Sequence, residues 1–91
     1  MAYKIIYTES YDKRAAKFAK RHPELLNQYQ KTLELLEANP FHPSLRLHKL
    51  KGRLNGLSSV SINISYRITI IMIIQESSIV PVDVGSHDEV Y

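Results

Sequence analysis

The sequence has 91 residues, of which 44% are hydrophobic, and this predicts one small domain (1–91) with a single core. It contains no cysteine, so disulfide bonds and thiol chemistry are excluded. The longest apolar run, residues 68–74, is too short for a membrane-spanning helix, and the N-terminus lacks the pattern of a signal peptide. We therefore expect a cytoplasmic protein without a membrane contact, and its formal net charge of +3 favours an anionic partner.

The first half of the chain is predicted to form a strand and a helical hairpin. Alternating side chains predict a strand over 2–8, and Thr8 or Ser10 can cap a helix over 10–21. A second helix is predicted over 23–38, and Pro23 suits its first turn, where the missing N–H would have no partner in any case. The residues expected to face the core are Tyr11, Ala15, Phe18 and Ala19 of the first helix and Leu26, Tyr29, Leu33 and Leu36 of the second.

The second half of the chain changes to the period of β-strands. Asn55-Gly56 predicts a tight turn. Strands are predicted over 59–64, 66–74 and 79–84, and Pro81 in the last of them indicates an edge strand or a bulge. The predicted order is β-α-α-β-β-β. This is an α+β fold, in which the helical hairpin covers one face of a three- to four-stranded antiparallel sheet.

Arg67 is a charged residue in a strand that is predicted to be central. Strand alternation places it with Asn63, Ser65 and Thr69, opposite a helix-covered face of Ile64, Tyr66, Ile68 and Ile70. Since arginine is rarely buried without a partner, we expect Arg67 to project onto an open, polar sheet face. The alternative is a structural salt bridge to Asp83, Glu89 or the chain terminus.

Two further segments carry residues capable of chemistry. The segment "RLHKLKGR" concentrates cations that can converge on one surface, or that form a solvated edge strand which prevents aggregation. The terminal "DVGSHDEVY" contains His87, which can transfer protons near neutral pH. A sharp reversal at Gly85 would bring His87 and Tyr91 beside Arg67, whereas the alternative is a frayed surface tail.

Three motifs in this order, "HKLKG", "SYRI" and "VGSHDEVY", resemble the RelE/ParE superfamily of toxins from bacterial type II toxin–antitoxin pairs. The similarity covers essentially the whole chain and is greatest to the RelE/YafQ-type messenger-RNA-cleaving members. It implies an endoribonuclease that cuts the codon in the ribosomal A site by attack of a 2′-OH on its own 3′ phosphate. Such a reaction needs a base, cations and an acid, and it uses neither a metal nor another cofactor.

The resemblance also implies roles for individual residues. His87 corresponds to the general acid, Tyr91 to an aromatic residue that stacks on or orients the substrate, and Arg67 to a phosphate clamp. His48 corresponds to a base or second proton carrier. The basic residues expected to bind the RNA backbone are Arg46, Lys49, Lys51 and Arg53.

The strand "SSVSINIS" departs from the family, whose members carry lysines or a histidine there. His48 or Lys51 must then supply the base, or catalysis depends mainly on Arg67 and His87. A ParE-like poison of DNA gyrase, or a catalytically weak member that only binds its antitoxin, are the alternatives. The histidine and aromatic residue of the tail favour the ribonuclease. An antitoxin protein, often acidic, is the expected partner in each case.

Overall fold

The computed structural model describes residues 2–86, and its helices and strands follow the predicted α+β order. They are β1 (Lys4–Ile5), α1 (Glu9–Arg21), α2 (Leu26–Ala38), β2 (His48–Lys49), β3 (Ser58–Ser61), β4 (Tyr66–Ile73) and β5 (Ser78–Ser86). Within this range neither helix has the length and apolar character needed to cross a membrane.

The strands form a sheet in the order β1-β5-β4-β3-β2. The four C-terminal strands are antiparallel to their neighbours, as predicted, but β1 joins β5 in parallel. The described sheet is therefore mixed and five-stranded, which corrects the expectation of three to four antiparallel strands. β1 is also shorter than the predicted 2–8, because Thr8 has left the sheet and caps α1.

Local sequence signals explain the limits of α1. The hydroxyl of Thr8 accepts a hydrogen bond from the backbone N–H of Tyr11 at 3.1 Å, which satisfies one of the otherwise unpaired donors of the first turn. Acidic residues lie in the first turn and basic residues in the last, where each complements the helix dipole.

The two helices are joined through their aromatic residues. The hydroxyls of Tyr11 and Tyr29 lie 2.6 Å apart, and Tyr11 is only 1% exposed. Leu26 was expected in this interface but is 40% exposed, whereas Leu25 is buried. The cause is a turn of 3₁₀-helix at Pro23–Leu25, whose tighter winding changes the phase with which α2 begins.

The core lies between the helices and one face of the sheet. Ile68 and Ile70 of β4, Val60 of β3 and Ile79 of β5 are fully buried there. Ile64 was expected on the same face but is 86% exposed. β3 ends at Ser61, and the next turn is held by Asn63, whose Oδ1 accepts from the N–H groups of residues 65 and 66.

The last strand carries a bulge in the middle of the sheet. Thr69 of β4 pairs with Asp83, and the adjacent Ile70 pairs with Pro81, so Val82 is the extra residue. Pro81 thus marks a bulge, as one of the two alternatives predicted. It also lies at a local edge, because β1 pairs only with Ser78 and Ile79 of β5, and among the described residues no strand adjoins Pro81 on the side away from β4.

The turn predicted at Asn55-Gly56 is present. Only Gly56 adopts a left-handed backbone, with φ of 96°, whereas Asn55 has φ of −56° and ψ of 136°. These angles are those of a type II turn, which requires positive φ at its second central residue alone.

The buried tyrosine pair makes the stability of the fold sensitive to alkaline pH. Burial, and secondly the charge of the adjacent Tyr29, raise the pKa of Tyr11 above its ordinary value of 10.0. Because the folded pKa is raised, the contribution of Tyr11 to stability is complete below pH 10 and is lost as the pH rises further.

We expect the free energy of unfolding to fall above pH 10 by up to about 1.4 kcal/mol per pH unit for each tyrosine that stays protonated in the folded state and ionises on unfolding. Tyr11→Phe should cost about 1 kcal/mol at neutral pH, since it removes the hydrogen bond to Tyr29. Its stability should then fall less steeply above pH 10 than that of the wild type. Urea unfolding at a series of pH values measures both slopes, and parallel curves would contradict the assignment.

Candidate active site

Strand pairing brings residues from four strands onto the sheet face that carries Arg67, which we call the Arg67 face. Residues directly opposite each other in antiparallel strands project to the same side. Along β4, Ile68 and Ile70 project to the other side, into the core. One row of the Arg67 face comprises Ser61, Arg67 and Gly85, and the row beside it comprises His48, Ser59, Thr69 and Asp83.

Arg67 lies half-buried on the polar face predicted for it. Its Nε is buried and has no hydrogen-bond partner among residues 2–86, and the same is true of the Oγ1 of Thr69, which is 2% exposed. The opposite residue, Gly85, adds no side chain. Since an unpaired buried donor costs about 1–3 kcal/mol, these groups point to a ligand that completes their hydrogen bonds.

The structural salt bridge considered for Arg67 is not made by Asp83. One carboxylate oxygen of Asp83 pairs with Arg14 of α1 at 3.2 Å, and the other accepts from the N–H of Val84. The side chain of Asp83 is thus held at the α1 side of β5. Glu89 and the chain terminus, the other partners considered, lie outside the described residues.

His48 is exposed on β2, and its tautomer is determined by a backbone contact. Its Nδ1 lies 3.0 Å from the carbonyl oxygen of Arg46. A carbonyl can only accept, so Nδ1 donates in this contact, and in the neutral ring Nε2 then carries the lone pair. Arg46 itself has the left-handed backbone, with φ of 50°. His48 can therefore accept a proton from a group on the Arg67 face.

The remaining cations of the basic segment do not all share this face. Lys49 pairs with Ser58, so it projects to the opposite side of β2 from His48. Lys51 and Arg53 are exposed at the 3₁₀ turn Gly52–Leu54. The expectation that the whole segment converges on one surface is wrong for Lys49, because alternate residues of a strand point to opposite faces.

The end of β5 leads to the predicted catalytic tail. The strand remains extended through Gly85, which pairs with Arg67, to Ser86, which pairs with Tyr66. Gly85 does not adopt positive φ, so the sharp reversal expected there is wrong. The predicted site residues His87 and Tyr91 lie outside the described residues, as do Asp88, Glu89 and Val90, and their roles stay predictions.

Sequence reasoning missed two features of this region. The first is the buried hydroxyl of Thr69, which no sequence signal distinguishes from an ordinary strand threonine. The second is a pocket of about 130 Å³ along β5, for which the sequence does hold a signal. Basic residues of α1 recur at spacings of three and four, which places them on one stripe of a helix. The lining residues are Arg14, Lys17, Phe18, Arg21, His22, Asp83 and Val84.

Chemically, the Arg67 face combines a cation with a proton acceptor. The Arg67 guanidinium can bind an anion, and the His48 imidazole can take a proton from an adjacent hydroxyl. Between residues 2 and 86, no cluster of three or more histidine, cysteine or acidic side chains could hold a metal ion.

Neither a protein-family model nor a curated protein matches the sequence. Solved structures do match. YafQ from Escherichia coli strain BL21(DE3) has a TM-score of 0.78 and 15% identity over 98% of both chains. The DinJ–YafQ toxin–antitoxin complex of E. coli gives 0.76 and 17% identity, over 100% of this chain and 99% of that one. A metal-bound toxin from Helicobacter pylori gives 0.69 and 25% identity over both full chains. The chain therefore has the fold of these toxins, which is the fold that the resemblance in its sequence implied.

Proposed function

We propose that this protein is the toxin of a toxin–antitoxin pair and an endoribonuclease that cuts messenger RNA in the ribosomal A site, which inhibits translation. The observation that carries the proposal is the shared sheet face of Arg67, whose Nε has no partner among residues 2–86, and His48, whose Nε2 can accept a proton when the ring is neutral. Likeness to the DinJ–YafQ toxin–antitoxin complex supports the toxin role and an antitoxin as partner. Because its target is the ribosome, we place the protein in the cytoplasm.

In the proposed reaction, the base removes the proton of a ribose 2′-OH, and the 2′ oxygen attacks the adjacent phosphorus. The bond from phosphorus to the 5′ oxygen of the next nucleotide breaks, and this oxygen takes a proton from the acid. The products are a 2′,3′-cyclic phosphate and a 5′-OH. We assign His48 as the base, His87 as the acid and Arg67 as the cation that stabilises charge on the phosphate.

The order of the strands supports these roles. His48 lies two strands from Arg67 and one row along, which is about 12 Å at the usual spacings of strands and residues. On the other side, β5 ends at Ser86, and His87 is the next residue of the chain. The proposal requires His87 to lie on the opposite side of a phosphate bound at Arg67 from His48. In-line displacement at phosphorus requires this arrangement.

The other predicted residues act on the RNA around the cut. Arg46, Lys51 and Arg53, exposed beside His48, are assigned to the backbone phosphates, and Tyr91 to stacking on a base. Lys49 retains a role in phosphate binding at the sheet edge, from the face opposite His48.

A cell-free translation reaction with primer-extension mapping of the message tests the function. We expect cuts in phase with the codons, and added antitoxin should abolish them. Intact message together with trapped DNA–gyrase complexes would instead identify a gyrase poison. Intact message without such complexes would identify a protein that only binds its antitoxin.

Replacing Arg67 separates a functional role from a structural one. Arg67→Met removes the guanidinium and its unpaired buried Nε while filling similar space, so the free energy of unfolding should stay equal or rise by about 1 kcal/mol. Cleavage should nevertheless fall by roughly 10²- to 10³-fold, as for loss of one donor to a developing oxyanion. Early thermal unfolding of Arg67→Met would show that Arg67 is structural.

The two proposed proton carriers can be compared with a third histidine. His87→Ala and His48→Ala should each slow cleavage by about 10²- to 10⁴-fold, the usual contribution of a general acid or base. His42→Ala is the matched control, since His42 is exposed, its side chain contacts Ser44, and it belongs to none of the strands that form the Arg67 face. Primer-extension rates measure all three. Equal rates for His48→Ala and His42→Ala would reassign the base to Lys51.

Deletion of Val90 and Tyr91 tests the stacking role of the tail. Because stacking on one base contributes about 1–3 kcal/mol, binding of a fully 2′-O-methylated RNA should weaken by about 5- to 150-fold. Thermal unfolding, measured in parallel, should be unchanged. Full RNA affinity after the deletion would exclude a stacking role for Tyr91.

A further inference from the structure

A basic pocket runs along the outer side of β5, between this strand and α1. Its volume is about 130 Å³, and Arg14, Lys17 and Arg21 of α1 contribute to its lining. These residues lie at steps of three and four along one stripe of the helix. The pocket therefore concentrates cations where β1, which pairs only with Ser78 and Ile79, leaves the rest of β5 facing the helix.

The position of the pocket links it to the Arg67 face. Val84 contributes to its lining, and the next residue, Gly85, pairs directly with Arg67 on the neighbouring strand. Neighbouring strands lie about 5 Å apart, so one strand separates the pocket from Arg67. A polymer bound at Arg67 reaches the pocket by crossing the end of β5, where Gly85 has no side chain.

One carboxylate lies among the cations and limits their charge. Asp83 pairs with Arg14 at 3.2 Å, and its other oxygen accepts from the N–H of Val84. The Asp83→Asn change can keep the second contact through its amide oxygen while it removes the charge. Since both partners of the ion pair are partly exposed, its loss should cost little stability.

We propose that this pocket is a second phosphate subsite, which binds a backbone phosphate of the RNA next to the nucleotide that is cut. The proposal rests on the proposed ribonuclease function and extends its substrate contact from the Arg67 face to α1. Lys17 provides the cation for this phosphate together with Arg14, and Asp83 weakens the site.

Binding of a fully 2′-O-methylated RNA hexamer, which lacks the attacking 2′-OH, tests the subsite without cleavage. Fluorescence anisotropy at several salt concentrations gives the affinity and its salt dependence. Each phosphate contact to single-stranded RNA adds about 0.7 to the slope of log K against log salt, so Lys17→Ala should lower the slope by about 0.7. The same slope predicts affinity weaker by about 3- to 5-fold at 0.15 M salt. Asp83→Asn should shift affinity in the opposite direction.

Lys13→Ala is the matched control, because it removes the same charge from α1. Lys13 is highly exposed, contacts Glu9 at 3.8 Å and does not line the pocket.

Equal affinities for Lys13→Ala and Lys17→Ala would overturn the subsite, as expected if Asp88 or Glu89 of the tail fills the pocket. If message is cut in translation while the two variants bind alike, only the subsite fails. If Lys17 governs RNA binding while message stays intact, the subsite stands and the ribonuclease function fails. Absence of RNA binding by the wild type overturns both.

Discussion

The alternation of side chains along β4 is the constraint on which the rest of the structure depends. Ile68 and Ile70 are fully buried beneath the helices, and Arg67 and Thr69 alternate with them on the opposite face. A shift of one residue would expose both isoleucines, at about 1.5–3 kcal/mol each, and drive the Arg67 charge into the core. Because β3 and β5 both pair with β4, and β2 pairs with β3, this register also determines where His48 lies.

The helical hairpin reinforces this register through an aromatic cluster. Tyr66, the residue before Arg67, has its ring centroid 5.8 Å from that of Phe18 and 4.8 Å from that of His22. Phe18 in turn packs on Tyr29, whose hydroxyl bonds to Tyr11. Such contacts add about 0.5–1.5 kcal/mol per pair beyond burial alone. Packing on the helix side of β4 thus positions the cation on its other side.

The two faces of the sheet differ in polarity. The helix-covered face has the apolar packing of a core, whereas the Arg67 face carries a buried donor and a buried hydroxyl that find no partner in the described part of the chain. Such groups cost stability, and they are typical of sites that bind a ligand. Ser59 and Ser61 of β3 give this face a floor of small side chains between His48 and Arg67. In the proposed reaction this floor leaves space for a nucleotide, while the proton carriers come from the edge strand and the tail.

The sequence by itself determined the features that depend on neighbours in the chain. The Thr8 cap, the end of α2 at Ala38 and the polar face of Arg67 all follow from local hydrogen bonding or from a period of two or 3.6 residues. Only the tertiary structure decided the parallel pairing of β1 with β5 and the bulge at Val82. The tertiary structure also decided the ion pair between Asp83 and Arg14 and the extended backbone at Gly85. These features join residues that are far apart in the chain, and their energies depend on which partners packing makes available, which no local pattern encodes.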